Sequence, residues 1–162
     1  MLKKFLNKVF GKPKEDTFCN MSVVKLQRDD IMSFKEAFDL TNMPIITFYQ
    51  KDKKYNFILD TGCTDAVIDS NVVKQMDYKL VNMQSNLFGM EGNTKLVQIC
   101  ELTLYFNNRG YTYNYLINDM SQAFKQIKES TGVTVHGIIG SKFFNKFKYV
   151  LDFDELIAYS KK

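Results

Sequence analysis

The feature that most constrains this chain is a short stretch in which a bulky apolar run ends on an acid, a hydroxyl and a glycine, Phe57-Ile58-Leu59-Asp60-Thr61-Gly62-Cys63-Thr64. A continuous apolar run of this kind predicts a strand that is buried on both faces. Asp60 then lies where the strand ends, and Gly62 permits a turn or a close backbone approach that a Cβ would block. The stretch therefore predicts a carboxylate held rigidly at the tip of a buried strand, a placement that suits catalysis.

The same Asp-Thr-Gly is also good turn chemistry between two strands, because Asp accepts backbone hydrogen bonds and Gly adopts positive φ. The neighbouring segments favour the catalytic interpretation. A β-hairpin is predicted before the loop, at 44–50 and 55–59, and a further strand after it, at 66–69. Much later, Ile138-Ile139-Gly140 precedes a short predicted helix at 142–147 and another strand-like run.

The Asp-Thr-Gly loop and the Ile138-Ile139-Gly140 segment together resemble the retropepsin-like aspartic proteases, the single-domain, homodimeric relatives of the pepsins. Asp60 and Gly140 lie 80 residues apart, which is compatible with one lobe of that family. The resemblance implies an all-β, retropepsin-like acid protease barrel with a few short helices at 43–162. A helical N-terminal extension is predicted before it.

The resemblance also implies a function. Asp60 would be the catalytic residue, and because the chain holds a single Asp-Thr-Gly, the active enzyme would be a homodimer in which two Asp60 carboxylates activate water. Such a protein is an aspartic-type endopeptidase, a hydrolase that cuts polypeptide substrates and needs neither a metal nor a cofactor. The alternative is a non-catalytic binding module on the same fold, tethered to a membrane through the N-terminal amphipathic helix.

Further site residues follow from the resemblance. The active-site loop would be supported by its own residues and by the second segment packed beneath it: Thr61, Gly62, Cys63, Ile138, Ile139 and Gly140. The stretch Gly89-Met90-Glu91-Gly92 would be the tip of a flap, within a hairpin predicted at 86–106 with a short first arm. The alternative for this segment is an ordinary surface hairpin.

Three features depart from the family pattern. Cys63 stands where the family usually has Ser or Ala, and a thiol is a poorer hydrogen-bond donor to the carboxylate than a hydroxyl. Lys142 replaces the Asp or Asn often found soon after the second glycine, which predicts the loss of a supporting dimer contact. The flap tip lacks an aromatic residue, which predicts a weaker grip on the substrate.

Charge is distributed unevenly along the chain. The net charge is +4, and the segment 1–14 contains basic residues but no acid: Lys3, Lys4, Lys8, Lys12 and Lys14. The rest of the chain is nearly neutral and has no basic stripe. This distribution argues against nucleic acid as a partner, because phosphate binding needs clustered Lys and Arg.

The basic segment 1–14 is also amphipathic, with apolar residues at helical spacing: Leu2, Phe5, Leu6, Val9 and Phe10. Such a helix would make a weak membrane-surface contact through residues 1–12, because its lysines attract anionic lipid and its apolar face inserts. The alternative is that the helix packs on its own domain or on its dimer mate.

Other segments predict structure rather than chemistry. In the extension 15–42, Asp29 and Asp30 are predicted to cap a short helix at 31–40. Ser121 is predicted to cap a helix at 122–130, which Gly132 ends. The last strand, 156–160, is predicted to lie either in the domain or in a dimer sheet.

The cysteines Cys19, Cys63 and Cys100 show no metal-ligand spacing, which predicts reduced thiols in a cytoplasmic protein. We expect no secretory signal and no membrane span, because no apolar stretch is long enough for either. His136 is the only histidine, and its place at the start of an apolar strand favours a structural role. Several acids outside the loop lack metal-ligand spacing and are expected to be solvated: Asp65, Asp69, Asp152, Asp154 and Glu155.

Overall fold

The computed structural model describes residues 30–88 and 92–161. The basic amphipathic segment 1–14, the first part of the extension 15–42 up to Asp29, and the flap residues Gly89, Met90 and Glu91 lie outside these ranges. The described residues form ten strands and four helices, numbered in chain order: β1 (Met32–Ser33), α1 (Lys35–Thr41), β2 (Ile45–Gln50), β3 (Lys53–Leu59), β4 (Val67–Asp69), α2 (Ser70–Val73), β5 (Tyr78–Phe88), β6 (Thr94–Phe106), β7 (Arg109–Asn118), α3 (Ser121–Thr131), β8 (Gly137–Ile139), α4 (Ser141–Phe147), β9 (Tyr149–Asp152) and β10 (Ile157–Ser160).

Six strands close into a barrel. Their hydrogen-bonded order is β2-β3-β8-β4-β7-β6, and a pairing of Tyr49 in β2 with Tyr105 in β6 closes the ring. β5 extends the sheet beyond β6. β3 runs parallel to β8 and β4 runs parallel to β7, whereas the other pairs are antiparallel. The predicted all-β barrel with a few short helices is therefore confirmed.

Aromatic side chains fill the barrel. Phe48 of β2, Phe57 of β3 and Tyr111 of β7 are fully buried. The ring of Phe48 lies 5.9 Å from that of Phe57 and 5.4 Å from that of Tyr111, both edge-to-face. Phe143 of α4 is also fully buried, and its ring lies 6.3 Å from that of Phe48. This contact fixes α4 to the barrel.

A second, smaller sheet joins the beginning and the end of the described chain. Its order is β1-β10-β9, and both pairings are antiparallel, with Met32 opposite Ala158 and Ser160 opposite Tyr149. The last strand therefore lies in the domain's own sheet, which was one of the two predicted alternatives. β10 has a neighbouring strand on each side within the same chain.

The predicted helix at 31–40 starts too early. Met32 and Ser33 form β1, and α1 begins only at Lys35. The reason is tertiary: Met32 and Phe34 are buried in the main core, and the Phe34 N–H donates to the Leu156 carbonyl oxygen at 2.9 Å. Asp30, expected to cap this helix, instead forms an ion pair with Arg109 at 3.2 Å.

The helix α3 lies between β7 and β8. Its predicted cap residue, Ser121, is the first helical residue, and the Asp119 carboxylate accepts from both the N–H (3.0 Å) and the hydroxyl (2.6 Å) of Ser121. These hydrogen bonds hold the pKa of Asp119 below its usual value. Gly132 ends the helix with a φ of +76°, as predicted.

No helix of the described residues is long and apolar enough to cross a membrane.

The hairpin of β5 and β6 is longer than predicted. Its first arm has 11 residues, and the two arms pair from Tyr78 opposite Leu102 to Phe88 opposite Thr94. A bulge interrupts β5 between Val81 and Gln84. Within β6, the apolar residues change face between Ile99, which packs outside the barrel, and Cys100, which packs in the barrel core.

Candidate active site

Asp60 follows the last residue of β3, at the end of the parallel pair that β3 forms with β8. Leu59 lies opposite Ile139, and the Asp60 N–H donates to the Ile139 carbonyl oxygen at 3.0 Å. Asp60 itself is half-buried, whereas Thr61 and Gly62 are exposed. The fold thus brings together the two sequence segments that were singled out, although they are far apart along the chain.

The Asp60 carboxylate is oriented by its own loop. Its Oδ1 accepts a hydrogen bond from the Gly62 N–H at 2.9 Å, and its backbone carbonyl accepts one from the Cys63 N–H at 3.2 Å. A Cβ at Gly62 would lie 3.2 Å from Oδ1, which is tighter than an ordinary contact. A glycine at this position therefore lets the backbone approach the carboxylate without a shift.

Gly140 allows an even closer approach from the other side. A Cβ on Gly140 would lie 2.5 Å from the carbonyl oxygen of Asp65 and 2.7 Å from that of Cys63, so a side chain cannot fit without movement of the backbone. The first two N–H groups of α4 donate hydrogen bonds to the loop across this short distance. Ser141 donates to the Cys63 carbonyl at 2.8 Å, and Lys142 donates to the Thr64 carbonyl at 3.1 Å. The start of α4 thereby clamps the loop.

The Cys63 thiol has its hydrogen-bond partner within the loop. It donates to the backbone carbonyl of Asp65 at 3.1 Å rather than to the Asp60 carboxylate. Burial and the nearby Asp60 charge raise the pKa of the Cys63 thiol, so the thiol is protonated at neutral pH. Cys63 therefore acts as a neutral side chain that braces the turn of the loop.

Lys142 forms a contact within its own chain. Its Nζ lies 2.8 Å from Oδ1 of Asp65, and this hydrogen bond raises the pKa of Lys142. The pair links the first turn of α4 to the loop that carries Asp60. The expectation that Asp65 is solvated is therefore wrong, because its carboxylate has a partner and its side chain is only 31% exposed.

Asp69 is the most buried of the acids expected to be solvated, at 3% exposure. Its Oδ1 accepts from the N–H groups of Asn71 (2.8 Å) and Val72 (3.2 Å), and its Oδ2 accepts from the N–H of Met120 (2.8 Å). One carboxylate therefore caps α2 and anchors the connection from β7 to α3. The position of Asp69 immediately before a short helix is the sequence signal for its capping role. No sequence signal indicates the contact with Met120.

An apolar cluster links the loop to the hairpin. We call it the cleft cluster; its buried members are Val67, Val97 and Leu116, and its half-buried members are Cys63, Leu87, Ile99, Met120 and Ile138. It joins the Asp60 loop and β8 to the inner faces of both hairpin arms. The loop that carries Asp60 therefore contacts an apolar cluster through Cys63.

The tip of the hairpin is described only from Gly92 onward, and Gly92 has a φ of +79°. Phe88, immediately before the tip, is 74% exposed. It alternates with Leu87, whose side chain joins the cleft cluster, so Phe88 lies on the opposite face of β5. The nearest described aromatic residue therefore faces away from the cluster.

His136 has a structural environment, in keeping with the prediction. Its Nδ1 accepts a hydrogen bond from the Asn56 N–H at 2.8 Å, and its ring packs edge-to-face on Tyr55 at 5.4 Å. Burial lowers the pKa of His136, which favours the neutral imidazole that this hydrogen bond requires. The described residues contain no group of three or more His, Cys, Asp or Glu side chains that could hold a metal.

Comparison with solved structures identifies the architecture. The chain is similar to the protease of EIAV in its complex with the inhibitor HBY-793, with a TM-score of 0.50 and 18% sequence identity. The match covers 68% of this chain and 93% of that protease. The chain has a retropepsin-like fold. This likeness shows the fold alone, because a sequence identity of 18% is too low to indicate a shared function.

Comparison of the sequence alone identifies no related family or protein. No protein-family model matches the chain, and no curated protein matches it.

Proposed function

We propose that the protein is an aspartic endopeptidase in which two copies of the chain each contribute Asp60 to one active site. The observation that carries the proposal is the position of Asp60. It lies at the end of a core strand of a retropepsin-like fold, in a half-exposed loop clamped by β8 and α4. A carboxylate held in this way is rigid and still accessible to a substrate.

The chemistry requires two carboxyl groups. Two carboxylates a few Å apart hold one proton between them, because like charges so close cannot both ionise. The ionised Asp60 takes a proton from water, and the resulting hydroxide adds to the peptide carbonyl while the protonated Asp60 gives its proton to the carbonyl oxygen. The tetrahedral product then collapses as a proton passes to the amide nitrogen and the C–N bond breaks.

The loop residues have matching roles in this proposal. The Gly62 N–H, at 2.9 Å from Oδ1, stabilises the ionised carboxylate of its own chain. Thr61 is exposed beside it and braces the loop of the second copy across a two-fold axis. Only a symmetric dimer supplies the second Asp60, because the chain contains a single Asp-Thr-Gly.

The substrate is a polypeptide in an extended conformation. The half-buried members of the cleft cluster offer apolar side chains in the Asp60 loop (Cys63) and on the hairpin (Leu87 and Ile99). We therefore expect cleavage next to apolar residues, with the hairpin tip closing over the bound chain. Activity in the cytoplasm, and weak attachment of residues 1–12 to anionic membrane, belong to the same proposal.

The test is cleavage of an unbiased peptide library from acidic to neutral pH by the wild-type protein and by Asp60→Asn. Asp154→Asn is the matched control, because Asp154 is exposed and lies outside the loop. We expect cleavage by the wild type and by the control, and none by Asp60→Asn. Peptide cleavage by Asp60→Asn would overturn the proposal. The absence of cleavage by the wild type, under conditions in which it is dimeric, would also overturn it.

A mixing experiment tests the shared site directly. Equimolar Asp60→Asn added to a fixed amount of wild type should reduce activity to about half once subunits exchange, because mixed dimers carry only one carboxylate. Activity that is unchanged after exchange would show that one Asp60 is enough and would contradict the proposal.

A further inference from the structure

We infer that the outer face of α4 forms a second substrate contact, in which Lys146 binds an acidic side chain of the polypeptide at a distance from the bond that is cut. This inference rests on the proposed function and names one feature of its substrate. The contact lies in a groove between α4, β7 and β6. We call it the α4 groove; its lining includes Lys142 and Lys146 of α4, Tyr113 and Asn114 of β7, and Ile99 and Glu101 of β6.

The α4 groove continues from the candidate active site. Ile99 lines the groove and also belongs to the cleft cluster, and the same is true of Leu116. Asp65, five residues after Asp60, is a further lining residue. The groove has a volume of about 460 Å³, which is within the range of clefts that bind ligands. A polypeptide that contacts the cleft cluster can therefore extend into this groove.

The charges around the α4 groove leave one lysine without an acidic partner. Asp65 is paired with Lys142 at 2.8 Å. Glu101 lies directly opposite Lys79 of β5, and opposite charges at such positions on neighbouring strands attract each other. Lys146 forms no ion pair with a carboxylate of the described residues. The positive charge of Lys146 is therefore available to an acidic ligand.

The Lys146 side chain is held in position for such a ligand. Its Nζ donates to the Thr112 carbonyl oxygen at 3.0 Å and lies 5.1 Å from the centre of the Tyr113 ring. These contacts hold the ammonium group against β7. An ammonium group has three N–H donors, so two remain for a ligand after the bond to Thr112. Lys146 is also exposed, which leaves it accessible to a substrate.

The strand β7 adds neutral hydrogen-bond donors to the α4 groove. Burial and the nearby Asp65 charge raise the pKa of Tyr113, so its hydroxyl is protonated at neutral pH and can donate. Asn114 is exposed and can donate from its amide. An ionised carboxylate only accepts hydrogen bonds, and it therefore matches this set of donors. Because Lys146 would repel a basic side chain, the groove selects for Asp or Glu.

The length of chain between Asp60 and the α4 groove limits where the acid lies in the substrate. The five residues from Asp60 to Asp65 span at most about 18 Å. The Lys142 N–H donates to the Thr64 carbonyl, next to Asp65, and Lys146 lies one turn of α4 further, or about 6 Å. An extended substrate advances about 3.3 Å per residue, so we expect the acid within about eight residues of the bond that is cut. A symmetric dimer has two such grooves, and the acid can therefore lie on either side of that bond.

Synthetic peptides of sixteen residues test the inference. Each peptide has two Phe residues at its centre and neutral polar residues elsewhere, and a single Glu is moved through every flanking position. The control peptide has Gln at the same position. We expect Glu at one position on either side to raise kcat/KM about three- to tenfold over Gln, through a lower KM. High salt should reduce this preference.

Variants of Lys146 separate recognition from a purely structural role. Lys146→Met should cleave the Glu and Gln peptides equally, and Lys146→Arg should keep the preference for Glu. Lys146→Glu should reverse the preference, so that a peptide with Lys at that position is cut better than the Gln peptide. A lysine that only braced α4 would give no such reversal. Lys125→Met is the matched control and should keep the preference, because it removes the same charge from an exposed lysine of α3 outside the groove.

Binding of the same peptides, carrying a fluorescent label, to Asp60→Asn gives a readout that does not depend on cleavage. Tighter binding of Glu than of Gln peptides that is lost when Lys146→Met is added, together with no cleavage by the wild type, would support the groove and reject the protease. Cleavage without a preference for Glu at any position would do the reverse. A preference for Glu that persists in Lys146→Met would overturn the inference. The absence of any difference between Glu and Gln peptides in binding and in cleavage would also overturn it.

Discussion

The backbone N–H of Ser141 donates to the carbonyl oxygen of Cys63 at 2.8 Å, across a gap that a Cβ on Gly140 would fill. The start of α4 and the loop carrying Asp60 therefore form one rigid unit. Any change that widens this gap should affect the carboxylate, although α4 contributes no side chain to the proposed chemistry.

Gly140→Ala should destabilise the fold by about 1–3 kcal/mol, because the added methyl group meets two backbone carbonyls that cannot rotate away. Gly62→Ala should cost less, since its Cβ would lie 3.2 Å from one oxygen of a side chain that can adjust. Urea denaturation of both variants checks this order. Equal free energies of unfolding for Gly140→Ala and wild type would contradict the clamp.

The Lys142–Asp65 pair should contribute modestly to stability. Both side chains are partly exposed, and ion pairs of this kind contribute about 0.2–1 kcal/mol. A double-mutant cycle with Lys142→Met and Asp65→Asn measures the coupling free energy, and high salt should reduce it. A coupling of zero would mean that the backbone bonds of α4 hold the loop without help from this pair.

Asp69→Asn should destabilise the protein by about 1–3 kcal/mol. The carboxylate accepts three backbone N–H groups in a buried site, and an amide would turn an NH₂ group toward one of them. Asp77→Asn is the control, because the Asp77 side chain is 66% exposed. Chemical denaturation should show a larger loss in free energy of unfolding for Asp69→Asn than for Asp77→Asn. A similar small loss for both variants would show that Asp69 does not anchor the connection from β7 to α3.

His136 should make stability depend on pH. Burial lowers the pKa of His136 in the folded state relative to the ordinary value of 6.5, so the unfolded chain binds the extra proton first as the pH falls. The contribution of His136 is therefore complete above pH 6.5 and declines as the pH drops from there toward the lowered pKa.

His136→Asn keeps an acceptor for the Asn56 N–H but does not titrate. The difference in free energy of unfolding between wild type and this variant should shrink as the pH is lowered from 7.5 to about 5.5. Denaturation curves at several pH values measure it. A difference that does not change with pH would show that the folded and unfolded states bind the proton equally.

The sequence predicted the parts of this fold that depend on local pattern. The apolar run before Asp60 and the glycine at position 140 indicated two strands near one loop, and those strands pair in parallel. Helical spacing from Ile31 to Phe38 was misleading, because Met32 and Phe34 are held by a strand from the other end of the chain. The role of Asp69 depends on Met120, 51 residues away, and no local pattern contains that contact.

The change of apolar face within β6 has a consequence for how such a chain can evolve. Val97 and Ile99 belong to the cleft cluster, whereas Cys100, Leu102 and Leu104 belong to the barrel core. Under the proposed function, substitutions in the tip half of the hairpin are expected to change the preference for substrate, whereas substitutions in the barrel half are expected to reduce the stability of the fold. We therefore expect the effect of substitutions along β6 to change between Ile99 and Cys100, one residue from the step that lies opposite the β5 bulge.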